Sequence, residues 1–235
     1  MIRQGILICL TFIPFISLFF VVPTFEIENN MAIVHTIGLI VILSGINVWL
    51  SMMCAWWLLW TDSKWKHVIE WLVFLPLFIP MLATLFGLYL ILAEAGLIGT
   101  YVGVTLALLV VTIPYSIRLA YNGMAVIGRP LLEQARILPS RRRVIYVLYP
   151  LFSRLMRTIA LFTTVILLSQ FALIQLIGAG LIPTVTTELY QSYAGNNRGL
   201  ALSNTWMLIL FPVLLYFLLS GWDRYMVRML KGRLQ

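Results

Sequence analysis

Long apolar stretches separated by short polar connections are the main feature of the sequence. A helix that crosses a hydrocarbon core of ~30 Å needs about 20 predominantly apolar residues. Six stretches meet this requirement and predict membrane spans at about 6–22, 32–60, 68–92, 101–121, 158–177 and 202–221. The strands of a lipid-embedded barrel would alternate polar and apolar residues, which these stretches do not. The predicted fold is therefore an all-α integral membrane protein, with one transmembrane domain over residues 1–235.

The composition supports this fold class. Hydrophobic residues make up 62% of the chain and charged residues 10%, against roughly 45–50% and about 25% in soluble domains. So few charges cannot solvate the surface of a globule, which excludes a soluble enzyme and a disordered chain. Cys9 and Cys54 both lie in apolar stretches, so the sequence predicts neither a disulfide scaffold nor a cysteine metal cluster.

The positions of the basic residues predict how the spans are oriented. Six spans place both termini on one side, and 14 of the 16 basic residues fall on that side. They are Arg3, Lys64, Lys66, Arg129, Arg136, Arg141, Arg142, Arg143, Arg154, Arg157, Arg224, Arg228, Lys231 and Arg233. Cytoplasmic loops carry an excess of Lys and Arg, so both termini are predicted to be cytoplasmic. The net charge of +8 needs no nucleic-acid partner, because no basic module with interleaved aromatic residues lies outside the spans.

A long cytoplasmic loop over about 122–157 is predicted between the fourth and fifth spans. Apolar residues recur there at helical spacing: Leu131, Ala135, Leu138, Val144, Leu148, Leu151 and Leu155. Pro139 ends the first helical stripe, and Pro150 is predicted to kink the second. Two interpretations are open, a membrane-surface hairpin with arginines on anionic lipid or a docking element for a cytoplasmic partner.

This loop resembles the EAA loop of type I ABC importer permeases. Residues 132–150 read LEQARILPSRRRVIYVLYP, and the family loop reads E-A-A, then a glycine, then a hydrophobic-Pro ending. Glu133 and Ala135 match the first and third motif positions, whereas Gln134 replaces the central alanine. Pro139 stands at the glycine, and Pro150 resembles the closing proline at an interval about two residues shorter.

The resemblance covers roughly residues 64–219. Residues 75–92 and 96–118 resemble the core spans of permeases for ferric iron, thiamine, polyamines, sulfate and molybdate, and residues 184–205 resemble their external segment before the last span. It implies a type I ABC importer permease fold, with six transmembrane helices and a cytoplasmic coupling helix, in a bacterial-type inner membrane. The implied function is passage of a small solute, delivered by an extracytoplasmic binding protein, into the cytoplasm by alternating access.

The resemblance also implies partners and a coupling site. The partners are two ABC ATPase subunits, a second permease subunit, the same or related, and the binding protein. ATP and Mg would sit on the ATPases, because this chain has no G-x-x-x-x-G-K-[ST] phosphate loop; we expect neither a cofactor nor enzymatic activity on it. Glu133 would be the acidic contact to the ATPase. The implied coupling residues are Leu132, Glu133, Gln134, Ala135, Arg136, Pro139, Arg141, Arg142 and Arg143.

Polar residues within the spans are candidates for the translocation path. Arg118 lies near the inner end of the fourth span, where it either lines the path or extends its charge to the interface. Ser169, Gln170 and Gln175 on the fifth span either line a cavity or, like Asn47, hydrogen-bond between helices. Three prolines, Pro76, Pro80 and Pro114, are predicted to break or kink the third and fourth spans, and the freed carbonyls would line a cavity.

External charges and isolated histidines complete the candidate sites. Glu94, Glu188 and Arg198 are predicted outside, where they contact the binding protein or only solvent. His35 and His67 lack ligand spacing to other His, Asp or Glu residues, so no metal site is predicted. The sequence contains no recognisable catalytic dyad or triad.

Two other classes remain as alternatives. A stand-alone channel or secondary transporter would need internal repeats or a line of charged residues through the membrane. An intramembrane enzyme would need His, Asp, Glu or Ser clustered at one depth. The span interiors are nearly free of charge and no inverted repeat is evident. The importer is therefore the leading hypothesis. The sequence does not indicate the substrate, or whether the permease pair is a homodimer or a heterodimer.

Overall fold

The structure, a computed structural model, describes residues 30–128, 133 and 144–232. Its helices are α1 (Asn30–Trp60), α2 (Lys66–Phe74), α3 (Met81–Glu94), α4 (Tyr101–Ile127), α5 (Tyr149–Ser169), α6 (Phe171–Ile177), α7 (Val185–Ala194) and α8 (Arg198–Gly232). A 3₁₀ turn, Leu75–Phe78, continues α2, and a π-helical turn, Val144–Leu148, leads into α5. No strand occurs in these described ranges, so the all-helical prediction is confirmed for them.

Four helices are long and apolar enough to cross a membrane. They are Asn30–Trp60, Tyr101–Ile127, Tyr146–Ser169 and Arg198–Leu230. The bent pair formed by Lys66–Phe78 and Ala83–Glu94 makes a fifth if it is counted as one span. The structure therefore gives four or five of the six predicted spans, and the predicted first span, 6–22, lies outside the described residues.

The predicted third span, 68–92, is divided into two helices rather than one. Its two parts meet at an angle of 104°. Pro76 lies in the 3₁₀ turn, and both Ile79 and Pro80 have extended backbone angles. A proline disfavours helical geometry in the residue before it, which accounts for the break at Ile79. The break predicted from Pro76 and Pro80 is confirmed, whereas Pro114 lies inside an uninterrupted α4.

The predicted fifth span, 158–177, needs correction at both ends. Its helix already begins at Tyr149, and it ends at Ser169 because Gln170 has a non-helical ψ of 56°. Hydropathy places the start too late because Arg154 and Arg157 lie in the first turns of α5, where long basic side chains keep their charge near the interface. Pro150 occupies the first turn of α5. The π-helical turn Val144–Leu148 directly precedes it, so the helical backbone is irregular beside this proline, and the predicted kink stays a prediction.

Both ends of the predicted loop 122–157 are helical in the structure. Its first residues complete α4, which ends at Ile127 with Gly128 as its cap. Its last residues form the π-helical turn and the first part of α5.

Helices α1, α4 and α5 share a core that contains polar contacts as well as apolar ones. The Asn47 side-chain amide donates to Thr112 Oγ1 over 2.9 Å, joining α1 to α4. The Ser116 and Thr163 hydroxyls lie 3.3 Å apart between α4 and α5. In lipid, apolar burial does not favour one helix contact over a contact with acyl chains, so such hydrogen bonds help to fix helix pairing. The interhelical interpretation of Asn47 is confirmed.

One end of the bundle, named the Thr36 end, joins segments that are distant in the chain. The Val185 amide donates to Thr36 Oγ1 over 3.0 Å. The Gly99 amide donates to the Ile177 carbonyl oxygen over 2.8 Å. The Thr36 end therefore holds the starts of α1 and α4 together with the segment that follows α6.

The opposite end, named the Asp223 end, joins α5 to α8. Arg157 donates to one Asp223 carboxylate oxygen over 3.2 Å, and the Tyr149 hydroxyl donates to the other over 3.3 Å. The Trp56 and Phe152 rings, 6.3 Å apart, place the end of α1 beside them. The charge distribution predicts that this end faces the cytoplasm.

The start of α4 depends on a glycine. The Gly103 amide donates to the Thr100 hydroxyl over 3.0 Å, and that hydroxyl donates to the Leu97 carbonyl oxygen over 2.7 Å. A Cβ at Gly103 would meet the same carbonyl oxygen. We expect Gly103→Ala to cost about 1–3 kcal/mol, because the cap or the carbonyl has to move. The check is the thermal unfolding midpoint in detergent.

Gly38→Ala is the matched control for this variant. Gly38 lies inside α1, and a Cβ there has no neighbour within 4 Å. Alanine is a better helix former than glycine, so this change should leave the midpoint unchanged or raise it slightly. Equal midpoints for the two variants would contradict the steric argument at Gly103.

Candidate translocation site

A cavity of about 270 Å³ lies where the irregular parts of three predicted spans approach one another. We name it the Gln170 cavity. Its lining residues are Pro76, Leu77, Ile79, Thr84, Val110, Val111, Pro114, Tyr115, Phe162, Ile166, Ser169 and Gln170. They come from the 3₁₀ turn, α3, α4 and α5, so one cavity contains both helix breaks and the proline of α4.

The backbone around this cavity has lost part of its helical hydrogen bonding. Ile79 is extended, and Gln170 leaves the helical region between α5 and α6. Pro114 has no amide hydrogen, so the Val110 carbonyl loses its usual helical donor. Irregular backbone at membrane depth is tolerated where it is buried in protein or lines a cavity. Discontinuous helices of this kind form the substrate sites of many transporters.

Gln170 supplies a buried hydrogen-bond acceptor to the cavity wall. Its side chain is only 7% exposed, and its Oε1 has no hydrogen-bond partner in the described part of the chain. Its Nε2 donates to Ser169 Oγ over 3.4 Å, and that hydroxyl donates to the Ile166 carbonyl over 2.6 Å. An unsatisfied buried polar atom costs about 1–3 kcal/mol. Oε1 is shielded from water in this conformation, so a ligand in the cavity would donate to it, and remove this cost, only after the side chain turns.

The remaining wall is aromatic and neutral. The Tyr115 and Phe162 rings lie 6.3 Å apart at a tilt of 52°. Thr84 adds a hydroxyl, and none of the described lining residues carries a charge. Such a wall can orient a small polar group through a few hydrogen bonds while apolar surface surrounds it.

Arg118 lies in a separate recess. That recess, of about 620 Å³, is lined by His67, Glu70, Trp71, Phe74, Leu77, Phe78 and Arg118. The guanidinium carbon lies 5.0 Å from the centre of the Phe74 ring, a cation–π contact. Leu77 borders both this recess and the Gln170 cavity. Arg118 is thus a neighbour of the cavity and does not line it, and both interpretations of its role stay open.

The four predicted path residues therefore do not all line the same cavity. Ser169 and Gln170 line one cavity together. Gln175 lies on α6, half-buried and outside that lining. Sequence reasoning missed Tyr115 and Phe162, because aromatic residues are common in membrane spans and only the adjacent Pro114 marks Tyr115 as unusual.

The three predicted contacts with a binding protein share the Thr36 end. Glu94 is the last residue of α3 and is exposed. Glu188 is half-buried in the first turn of α7, and Arg198 is exposed at the start of α8. Their common end is what a shared external partner would require, and their role stays a prediction.

Among the predicted coupling residues, the structure describes Glu133, which is helical and exposed. The others lie outside the described residues: Leu132, Gln134, Ala135, Arg136, Pro139, Arg141, Arg142 and Arg143.

The histidines take part in local contacts. His35 Nδ1 lies 3.2 Å from the Pro183 carbonyl oxygen, and its ring meets the Tyr101 ring edge-on at 5.1 Å. His67 Nδ1 lies 3.9 Å from a Glu70 carboxylate oxygen. Across 30–128, 133 and 144–232, no three His, Cys, Asp or Glu residues are grouped so as to hold a metal ion.

Comparison with known proteins identifies the family. The profile of the binding-protein-dependent transport system inner membrane component matches residues 47–232, which is most of the chain. No curated protein matches the sequence. Proteins of this family are the permeases of ABC transporters; they act with other subunits and are not themselves the ATPase. Together with its apolar helices, this match shows that the chain is a multi-pass membrane permease that belongs to the family of binding-protein-dependent transport system inner membrane components.

Proposed function

We propose that this chain is one permease subunit of an ATP-driven importer. It receives a small solute from an extracytoplasmic binding protein at the Thr36 end and passes it through the Gln170 cavity to the cytoplasm. The observation that carries this proposal is the convergence of two helix breaks and Pro114 on one cavity with a buried acceptor. A lone structural hydrogen bond would not need two helix breaks and a helix proline at one place.

Helix α5 gives this proposal a mechanical basis. Its 21 residues extend about 31 Å at 1.5 Å per residue. It begins directly after the π-helical turn that follows the proposed coupling loop, and it ends at Ser169, next to the break at Gln170. A displacement of the loop by the ATPases would thus reach the cavity wall through one rigid helix. The break at Gln170 would let α5 move while α6 stays at the Thr36 end.

Two ATPases would dock on the cytoplasmic loop, with Glu133 as the acidic contact and the neighbouring arginines around it. ATP and Mg would be held by those subunits. A second permease subunit, the same or related, would complete the path. The second subunit would contact the exposed apolar side chains of α3, Phe86, Leu90 and Ile91. That contact would have to be closely packed, because apolar surface alone gives helices in lipid little reason to pair.

The test is affinity purification of the chain from its native membrane in mild detergent, followed by mass spectrometry. We expect stoichiometric recovery of an ABC ATPase, with a related permease if the pair is a heterodimer and without one if it is a homodimer. A known ABC complex purified in parallel is the control. Recovery of this chain alone, while the control complex stays intact, would contradict the importer and favour a stand-alone channel or secondary transporter.

A further inference from the structure

A basic recess opens between α5 and α8 at the Asp223 end. Its volume is about 660 Å³. The lining residues are Pro150, Leu151, Ser153, Arg154, Arg157, Ser220, Asp223, Arg224, Val227 and Arg228. Four arginines and one aspartate give it a formal charge of +3, which is large for a surface that borders membrane helices.

The one carboxylate among the described residues of the recess, that of Asp223, is already engaged. Arg157 and Tyr149 both donate to Asp223, and the Arg157 guanidinium also lies 5.5 Å from the centre of the Tyr216 ring. Arg224 donates through Nε to the Ser220 carbonyl over 3.2 Å, which leaves its two terminal nitrogens for other acceptors. Arg154, Arg224 and Arg228 are all exposed. Three exposed guanidinium groups thus line a recess in which Asp223 is the one acid among the described lining residues.

An apolar groove lies beside this recess, along α1, α5 and α8. Its volume is about 670 Å³. The residues lining it are Val41, Ser44, Gly45, Val48, Trp49, Met52, Met53, Tyr149, Ser153, Met156, Arg157, Ala160, Leu215, Leu219, Trp222 and Asp223. Ser153, Arg157 and Asp223 belong to both the recess and the groove, so the two are adjacent.

We propose that the recess and groove together bind one anionic phospholipid. The phosphate lies on Arg154, Arg224 and Arg228, and an acyl chain lies in the groove. Guanidinium groups bind phosphate oxygens in a bidentate manner, and basic pockets between membrane helices on the cytoplasmic side bind anionic head groups. A free phosphate would use the recess and leave the apolar groove unexplained, whereas a lipid uses both. The bound lipid bridges α5 to α8.

The experiment measures lipid bound to the full chain, in whatever complex it is purified. Phosphatidylglycerol or phosphatidylcholine is titrated in nonionic detergent, and bound molecules are counted by native mass spectrometry. We expect one phosphatidylglycerol to bind at least about tenfold more tightly than phosphatidylcholine. Equal binding of the two lipids would overturn the proposal.

The head-group contact is tested by Arg224→Ala with Arg228→Ala. We expect this pair to weaken phosphatidylglycerol binding about tenfold or more. Lys64→Ala with Lys66→Ala removes the same charge at the same end but outside the recess, and it should change binding less than about twofold. An equal loss of phosphatidylglycerol binding in the two double variants would mean that only net charge matters, and it would overturn the assignment of the head-group site. If the alanine pair does not fold, Arg224→Lys with Arg228→Lys keeps the charge and loses bidentate geometry.

The acyl-chain contact is tested by Gly45→Leu. Gly45 lines the groove and a Cβ there has no neighbour within 4 Å, so a leucine side chain starts in open space and occupies part of the groove. We expect phosphatidylglycerol binding to fall about tenfold, and Gly87→Leu on α3, also in open space, to leave it unchanged. Unaltered binding in Gly45→Leu, together with displacement of the lipid by millimolar inorganic phosphate, would show an anion site only and overturn the lipid assignment.

Discussion

Glu133→Arg is expected to abolish solute uptake while leaving the chain inserted in the membrane at its normal level. Glu133 is helical and exposed, and in the proposed importer it faces the ATPase. Reversing its charge would place like charges against each other at that contact, which costs several kcal/mol in a docked interface. Uptake into cells or proteoliposomes should fall to background. ATPase recovery with the purified chain should fall in parallel.

Glu94→Arg is the matched charge reversal for the ATPase measurement. Glu94 lies at the Thr36 end, whereas α4 ends and the π-helical turn begins at the opposite end of the bundle. Its reversal should leave ATPase recovery unchanged, whatever it does to contacts with the binding protein. Normal uptake in Glu133→Arg would show that the coupling-helix assignment is wrong.

Gln170→Leu is expected to slow transport about 10- to 100-fold and to leave stability unchanged or slightly raised. The change removes a buried acceptor that costs free energy when it has no donor. Leucine has a similar volume, so the cavity keeps its shape while a passing solute loses one hydrogen bond. The two measurements are initial uptake rate and thermal midpoint in detergent.

Gln175→Leu is the matched control, because it makes the same exchange on α6 outside the cavity lining. Its uptake rate should stay within about twofold of the original. Equal impairment in both variants would place the solute path along α6 and contradict the Gln170 cavity. A lower midpoint in Gln170→Leu, with no change in uptake per folded molecule, would assign Gln170 a structural role only.

The sequence predicted the position of a helix correctly where the length of an apolar stretch alone determines it. The apolar runs at 32–60 and 202–221 correspond to α1 and α8, and Pro76 with Pro80 marked the break before α3. The break at Gln170 had no such signal. Neither glycine nor proline stands there, and apolar residues continue on both sides, so its geometry depends on the helices packed around it.

The candidate site was predictable only in part for a similar reason. Ser169 and Gln170 were identifiable because polar residues are rare inside apolar spans. The contacts that define their surroundings join positions far apart in the chain, as Arg118 on Phe74 and Asp223 on Arg157 do. A single sequence gives the periodicity along each helix and does not specify which helix faces meet.

The pairing of Arg157 with Asp223 has a consequence for how this chain changes over evolutionary time. Both side chains are mostly shielded, at 19% and 18% exposure, so losing either one alone leaves an uncompensated charge next to lipid. Positions 157 and 223 are therefore expected to mutate jointly. Lineages that replace the arginine with a neutral residue should also have lost the aspartate, and Tyr149 should then be free to become phenylalanine.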